Sequence, residues 1–384
     1  MRAEALKRQG YSIAAIRTLA RARLPKPVFD FTDGAAENET TLRRNEAAFD
    51  DIALLPHPLT GSASRDLSVT LFGRRLALPV VLGPTGLAGL MCPDGEGAAA
   101  RAATAAGTAY CLSHGSVCTL EALAATGAAP RWMQVFIFSD RGFTRELAER
   151  SAAAKYDALV LTVDNQLTGN RERDIRNGFQ IPPRFKATDL AAMAFKARWL
   201  WDMRRELGRI TFGNYIRPGE AADLKALASR MGSLLDPSMS WADVAELRRI
   251  WLGPLLLKGV LHPDEAKTAV DQGIDGLIVS NHGGRQLDRA PATIDALEPI
   301  VAAVAGRAEV YLDGGVRRGT DVATALALGA RAVFIGRPYL YALAAGGEAG
   351  VARCIEILEA EMLIVMKLLG APTLAGLTRD RVIS

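Results

Sequence analysis

One histidine in this chain is placed to take a proton. His282 stands in the run Ser280-Asn281-His282-Gly283-Gly284-Arg285, with a Gly-Gly turn beside it and an arginine three residues later. Neutral imidazole is a general base near pH 7. A carboxylate such as Asp164, if the fold brings it near, would stabilise the imidazolium and raise the histidine pKa. A histidine alone is more often an ordinary polar residue, so the set Asp164, His282 and Arg285 carries the argument for chemistry. Of the other histidines, His57 lies between prolines, His262 opens a helical stretch, and His114 follows a short apolar run where it borders the same region. A second kind of chemistry is written in glycines and arginines. Asp313-Gly314-Gly315 precedes Arg317, and Gly336 precedes Arg337. Bare backbone N–H groups with a guanidinium beside them suit a phosphate, although tight turns alone would also use such glycines.

These residues need elements that gather them. From residue 78 onward the chain repeats a short apolar run, a Gly/Ser/Asp-rich turn and an alanine-rich helical pattern. The runs cover 78–83, 109–113, 132–138, 158–164, 254–259, 276–281, 309–315 and 332–337. Helical patterns such as 95–106, 141–155, 264–272, 294–304 and 320–328 fall between them. Eight such units predict an α/β fold, a (β/α)8 TIM barrel, with an N-terminal helical extension over 1–77. The barrel itself is expected over 78–345, with a long insertion after the fourth strand at about 170–240, and a C-terminal helix and tail over 346–384. The whole chain is read as one domain. A barrel keeps its site at the C-terminal strand ends, and those ends here are polar. They hold Pro84, Thr85 and Gly86, then Ser113, Gln134, Thr162, Asp164, Lys258, Ser280, Asp313 and Gly336.

Composition agrees with a folded enzyme. The chain has 384 residues, 49% hydrophobic and 23% charged, with a net charge of +4, which excludes wholesale disorder. No apolar run approaches the length of a membrane span, and no signal-peptide pattern opens the chain. Cys92, Cys111, Cys118 and Cys354 form no C-x-x-C pair, so neither a zinc cage nor a disulfide framework is expected, and a reducing, cytoplasmic setting fits. There is no P-loop, no H-E-x-x-H, no G-x-S-x-G and no G-x-G-x-x-G after a strand, which disfavours a Rossmann nicotinamide enzyme.

The run from Ser280 to Asp288 resembles the signature of the FMN-dependent 2-hydroxy acid oxidases and dehydrogenases, the family of glycolate oxidase, L-lactate dehydrogenase and mandelate dehydrogenase. The likeness extends through Leu24-Pro25-Lys26, Pro84-Thr85-Gly86, Leu161-Thr162-Val163-Asp164, Leu257-Lys258-Gly259-Val260, Asp313-Gly314-Gly315-Val316-Arg317 and Gly336-Arg337-Pro338. It implies an enzyme that oxidises an L-2-hydroxy acid to the 2-oxo acid with FMN. His282 would be the base, assisted by Asp164, and Arg285 would hold the substrate carboxylate with support from Arg171. FMN would have its phosphate near Gly315, Arg317, Gly336 and Arg337 and its ribityl chain near Asp313, with Gly314 also among the cofactor-binding residues. The ring would meet Pro84, Thr85, Gly86, Ser113, Gln134, Thr162 and Ser280, with Lys258 at its N1/O2 edge. Oxygen, a quinone or a cytochrome would take the electrons, nucleic acid has no part, and a homo-oligomer, commonly a tetramer, is expected.

Three positions depart from the family pattern. Phe31 and Phe136 stand where tyrosines are usual, and Gly115 where the glycolate enzyme has a tryptophan. Two lost hydroxyl donors weaken small hydroxy-acid binding, and the glycine is expected to enlarge the pocket, so a larger, more apolar substrate than glycolate is expected. The same changes admit an alternative, an oxidase of a modified peptide as in mycofactocin maturation. The insertion resembles the segment that ties bacterial lactate and mandelate dehydrogenases to the inner membrane. Residues 184–217 carry eight basic and three acidic side chains among Met193, Phe195, Trp199, Leu200, Trp201, Met203 and Phe212, a composition suited to an interfacial helix, a lid or an oligomer contact. Residues 1–26 carry seven basic and one acidic side chain. The near-neutral total therefore conceals an acidic barrel with two basic attachments, which could meet the inner face of the cell membrane on one side.

Overall fold

Eight short parallel strands close on one another in the computed structural model, which describes residues 3–61, 63–179, 196–216 and 235–383. They are β1 (Val80–Leu82), β2 (Tyr110–Ser113), β3 (Arg131–Val135), β4 (Ala158–Thr162), β5 (Leu255–Val260), β6 (Gly276–Val279), β7 (Glu309–Asp313) and β8 (Ala332–Ile335). Each pairs in parallel with its neighbours in chain order, and β8 closes on β1 through Val333↔Val80 and Ile335↔Leu82. Between and after them run α1 (Gly95–Ala105), α2 (Leu120–Ala125), α3 (Arg141–Ala153), α4 (Trp241–Ile250), α5 (Pro263–Asp271), α6 (Thr293–Val304), α7 (Gly319–Ala327) and α8 (Arg337–Leu368). This is the (β/α)8 barrel expected from the repeating pattern.

The two-residue period of a strand decides what points where. One set of positions, including Leu82, Leu112, Met133, Leu161, Leu257, Val279, Leu312 and Ile335, packs outward into the helical layer. The alternate set fills the interior: Val81, Cys111, Trp132, Val160, Leu256, Ile278, Tyr311 and Phe334. The hairpin of Val69–Leu71 and Arg74–Leu76 plugs the lower end, with Val69, Leu71 and Leu76 in the same interior cluster.

The N-terminal extension departs in one respect from its pattern. Pro25 and Pro27 read locally as a helix stop, and they also begin a helix. Helix Ile13–Arg23 ends at Leu24, and a new helix, Lys26–Asp33, starts with proline in its first turn, where a missing N–H goes unnoticed. That helix carries Phe31 to the barrel mouth. Its last residue, Asp33, joins three parts of the chain. It accepts from Arg17 (2.6 Å), from the Tyr341 hydroxyl of α8 (2.8 Å) and from Arg173 beyond β4 (3.1 Å). Burial pushes its carboxyl up, but the hydrogen bonds of Arg17 and Tyr341 and the charge of Arg17 outweigh that and hold it down to about 2. The C-terminal helix begins earlier than 346: α8 starts at Arg337 and is broken at Gly347, whose φ of +61° is left-handed.

Of the basic insertion, residues 180–195 and 217–234 lie outside the described part. Helix Ala197–Met203 buries Trp199 and Met203, and the Trp199 indole N–H donates to the Leu90 carbonyl at 3.1 Å. Trp201 alone of the aromatics on this helix faces out, 66% exposed, with the Arg204 guanidinium 4.0 Å over its ring. The two basic attachments touch. Lys196 Nζ donates to the carbonyls of Arg21 (3.2 Å) and Ala22 (2.6 Å), and Arg23 pairs with Asp202 at 2.6 Å.

Candidate active site

Two residues above each interior apolar side chain, on the same face of the same strand or its immediate extension, the chemistry changes. Val81 gives way to Gly83, Cys111 to Ser113, Trp132 to Gln134 and Val160 to Thr162. Leu256 gives way to Lys258, Ile278 to Ser280, Tyr311 to Asp313 and Phe334 to Gly336. The interior thus ends in a ring of polar residues and glycines at one level. Above it lies a cavity of about 820 Å3, within the range of small-molecule and cofactor sites.

Ring members brace each other. Gln134 Nε2 donates to Thr162 Oγ1 at 3.0 Å, and its Oε1 accepts from Ser113 Oγ at 3.3 Å. Lys258 and Asp313 form an ion pair at 2.9 Å, with Ser280 between them: Ser280 Oγ accepts from Lys258 Nζ (2.9 Å) and donates to Asp313 (2.7 Å). Burial alone would pull the Lys258 ammonium down; Asp313 and Asp164 together carry it above its ordinary value. Burial likewise works against ionised Asp313, and the charge and hydrogen bond of Lys258 hold its carboxyl below the usual range. A fixed, charged lysine therefore stands at the floor. Ser280 is fully buried and spends its oxygen on this pair and on the His282 N–H (3.1 Å), so it braces the floor and is not part of the cavity wall as expected for a ring contact.

His282 follows on a loop of left-handed backbone. His282, Gly283 and Gly284 all take left-handed φ, at +58°, +64° and +75°, a conformation glycine adopts freely and histidine tolerates. A side chain on Gly284 would strike the Leu42 backbone at 2.8 Å. Asn281 fixes the loop by a reciprocal amide pair with Asn45 (2.8 and 2.7 Å). His282 Nδ1 then meets Asp164 Oδ1 at 3.0 Å. Asp164 stands behind the histidine and does not line the cavity, and its second oxygen is buried without a partner among the described residues. The expected rise in the histidine pKa does not result. Burial outweighs the pull of Asp164, Lys258 adds to the lowering, and the imidazole sits below its ordinary value. It is held neutral, ready to accept a proton.

The cavity wall is cationic on one side. Arg171, Arg285 and Arg337 all line it, and each guanidinium is driven down by burial and by at least one neighbouring arginine. Guanidiniums do not deprotonate in proteins, so this crowding is a site for anions. Arg285 Nη1 donates to the carbonyls of Phe31 (2.6 Å) and Gly34 (3.0 Å), and its guanidinium lies 5.0 Å from the centre of the Phe31 ring. Arg171 supports it from the insertion, with Nε on the Arg285 carbonyl (3.3 Å) and Nη2 on Gln286 (3.1 Å). Arg317, paired with Glu46 at 2.8 Å, reaches the wall beside Gly314, Gly315 and Gly336. Gly314 and Gly315 have φ of +113° and +81°, and a Cβ on Gly315 would collide with the Asn45 carbonyl. Pro84, Thr85 and Gly86 complete this end. A phosphorylated, flat, largely apolar group suits these donors, glycines and the lysine on the floor.

The opposite wall is aromatic. Phe136 lines it, and Phe31, on the cationic side, stacks on Phe179 with centroids 4.5 Å apart. The room expected from Gly115 is not empty. Phe212 of the insertion comes within 3.2 Å of where a Gly115 Cβ would be, so the glycine admits that ring and does not simply enlarge the pocket. His114, expected to border the site, lines this wall, and so do Phe138, Phe212, Tyr215 and Leu235, which were not among the expected site residues. His114 had a visible signal, its place next to Ser113 at a strand end. Phe212, Tyr215 and Leu235 had none, because sequence shows that an insertion exists and not where it folds back.

Residues 20–384 match the family described as FMN-dependent dehydrogenase. An L-lactate dehydrogenase of Caulobacter vibrioides (strain NA1000 / CB15N) is 45% identical over 368 residues, 95% of this chain and 96% of that one. Glycolate oxidase 1 of Oryza sativa subsp. indica is 41% identical over 97% of this chain and 95% of its own length. Among solved structures, the monotopic membrane protein (S)-mandelate dehydrogenase superposes with a TM-score of 0.93 at 35% identity, covering 97% of this chain and 99% of that one.

Proposed function

Because the chain belongs to the FMN-dependent dehydrogenase family and is an FMN-dependent oxidoreductase of 2-hydroxy acids, we propose that His282 is its general base and that its substrate is larger and more apolar than glycolate. The observation that carries the first part is the His282–Asp164 contact at 3.0 Å beneath a cationic wall. FMN fits the residues present: Arg317, Arg337, Gly315 and Gly336 would hold its phosphate, Asp313 and Gly314 its ribityl chain. Pro84, Thr85, Gly86, Ser113, Gln134 and Thr162 would meet its ring, and Lys258 supplies positive charge at the floor. When bound, FMN takes up the two electrons of the oxidation.

The chain's own part is to bind, orient and move one proton. Arg285, backed by Arg171, holds the substrate carboxylate. His282, with Nδ1 engaged by Asp164, presents Nε2 and takes a proton from the substrate. Asp164, in contact with Nδ1, stabilises the imidazolium that results. Phe31 and Phe136 offer no hydroxyl, and the aromatic wall suits an aryl or branched side chain. The reading does not rest on Gly115. Similarity over nearly full length to enzymes named for lactate, glycolate and mandelate does not favour the modified-peptide alternative.

Among the described residues no helix is long and apolar enough to cross a membrane. Exposed Trp201 beneath Arg204, beside the basic N-terminal segment, supports peripheral contact with an anionic membrane face. The test of function is direct. The purified protein should be yellow, release FMN on denaturation, and bleach on adding (S)-mandelate or a branched 2-hydroxy acid faster than on adding glycolate. Flavin-loaded protein bleached by no 2-hydroxy acid would sink the assignment of base and substrate. Recolouring in air with peroxide formed, against recolouring only with a quinone or cytochrome, assigns the electron acceptor.

A further inference from the structure

The aromatic wall contains one polar couple. His114 Nδ1 lies 2.7 Å from the Tyr215 hydroxyl, set among Phe136 (4.2 Å between centroids), Phe138 (5.6 Å) and Phe143, which packs on Tyr215 at 5.0 Å. The couple is held rigidly. Asn214 Nδ2 donates to the His114 carbonyl (3.1 Å) and to Ser116 Oγ (2.9 Å), its Oδ1 accepts from the Leu120 N–H (2.7 Å), and the Gly213 N–H donates to the Ser116 carbonyl (2.9 Å). The segment bearing Tyr215 is thus pinned to the loop bearing His114.

The chemistry of the couple is determined by what surrounds it. His114 is only 8% exposed, and burial, with the nearby His282 adding to it, pushes its imidazole down to about 3, so the ring is neutral. Burial also raises the Tyr215 phenol, which keeps its proton. The phenol has no other hydrogen-bond partner among the described residues. The arrangement that satisfies both groups has the Tyr215 O–H donating to Nδ1, which places the imidazole proton on Nε2. Nε2 has no partner among the described residues, and His114 lines the cavity. A donor without a protein partner on a residue that lines the cavity is available to an oxygen of a bound ligand.

We propose that His114 is a specificity-determining residue whose Nε2–H donates to an oxygen on the substrate's side chain, and that Tyr215 is the positioning residue that fixes its tautomer. The inference rests on the proposed function and narrows it: the preferred substrate is a 2-hydroxy acid with a bulky, ring-bearing side chain that carries a hydroxyl or carbonyl oxygen. Arg285 and Arg171 take the carboxylate, His282 the proton, and the far end of the molecule is read by His114.

The probes are mandelate and its 2-, 3- and 4-hydroxylated ring isomers. One isomer should exceed mandelate in kcat/KM by about tenfold or more, chiefly through KM. Calorimetric binding of the corresponding 2-oxo acids reads the same preference without turnover. In His114→Leu the ratio of that isomer to mandelate should fall to near one, and in Tyr215→Phe, which keeps the ring and removes only the hydroxyl, it should fall several-fold. No isomer preferred in either measurement, or a preference unchanged in both variants, overturns the inference. Failure of every 2-hydroxy acid to bleach the wild-type flavin would instead overturn the reading beneath it.

Discussion

At the scale of single residues, the contest that matters is burial against Asp164 at His282. Burial wins, so the base is neutral down to pH values below the ordinary histidine pKa of about 6.5. The expected profile of kcat/KM is flat through neutrality, with an acid limb displaced below pH 6.5. Asp164→Asn removes the one carboxylate in contact with the ring, so the limb should move further down in pH while kcat falls by about 10²–10⁴-fold; a pH–rate series on both proteins checks it, and a limb moving upward would contradict the assignment. His282, Lys258 and Arg285 were legible because each stands at a strand end, where chain position alone predicts convergence. The net direction of the His282 shift was not legible. It depends on how deep the ring lies and on Lys258 of the neighbouring strand β5, and neither quantity is written in local sequence.

Elements decide how those residues are held. Helix Lys26–Asp33 brings Phe31 under Arg285 and ends on Asp33, which ties the extension to α8 and to the segment after β4. Asp33→Asn should lower stability by about 1–3 kcal/mol near neutral pH, the usual scale for breaking a buried charged network. The folded pKa is depressed to about 2 against about 3.9 unfolded. The contribution is therefore present above pH 4 and lost as pH falls from about 4 to about 2. Urea unfolding at pH 7 and pH 3 should show a large gap between wild type and variant in the first case and a smaller one in the second. Phe212 makes a complementary case, because Phe212→Ala should empty the space beside Gly115. Bulkier 2-hydroxy acids should then gain in relative kcat/KM over lactate, as a substrate panel would show. The barrel strands were legible from period and turns. The helix begun by Pro25–Pro27 was not, since proline ends and starts helices with the same local signal, and Phe212 reached the site by a long-range return that no periodicity encodes.

For the whole molecule, charge is distributed unevenly. The acidic balance of the barrel is offset by two basic segments that touch through Lys196, Arg21 and Ala22, and Trp201 stands exposed beside them. Trp201→Ser should reduce co-sedimentation with vesicles containing anionic phospholipid, most at low salt, and leave binding to neutral vesicles as weak as before. Equal sedimentation of both proteins would remove Trp201 from any membrane contact. The sharp level at which all eight strands turn from Val81, Cys111 and their fellows to Gly83, Ser113 and theirs has a different consequence, one for inheritance. Below that level a substitution is judged by whether the barrel closes; above it, by which molecule is oxidised. Lineages can therefore drift in substrate without renegotiating the scaffold, and the insertion, which adds Phe212 and Tyr215 from outside the strands, is the part freest to try new side chains.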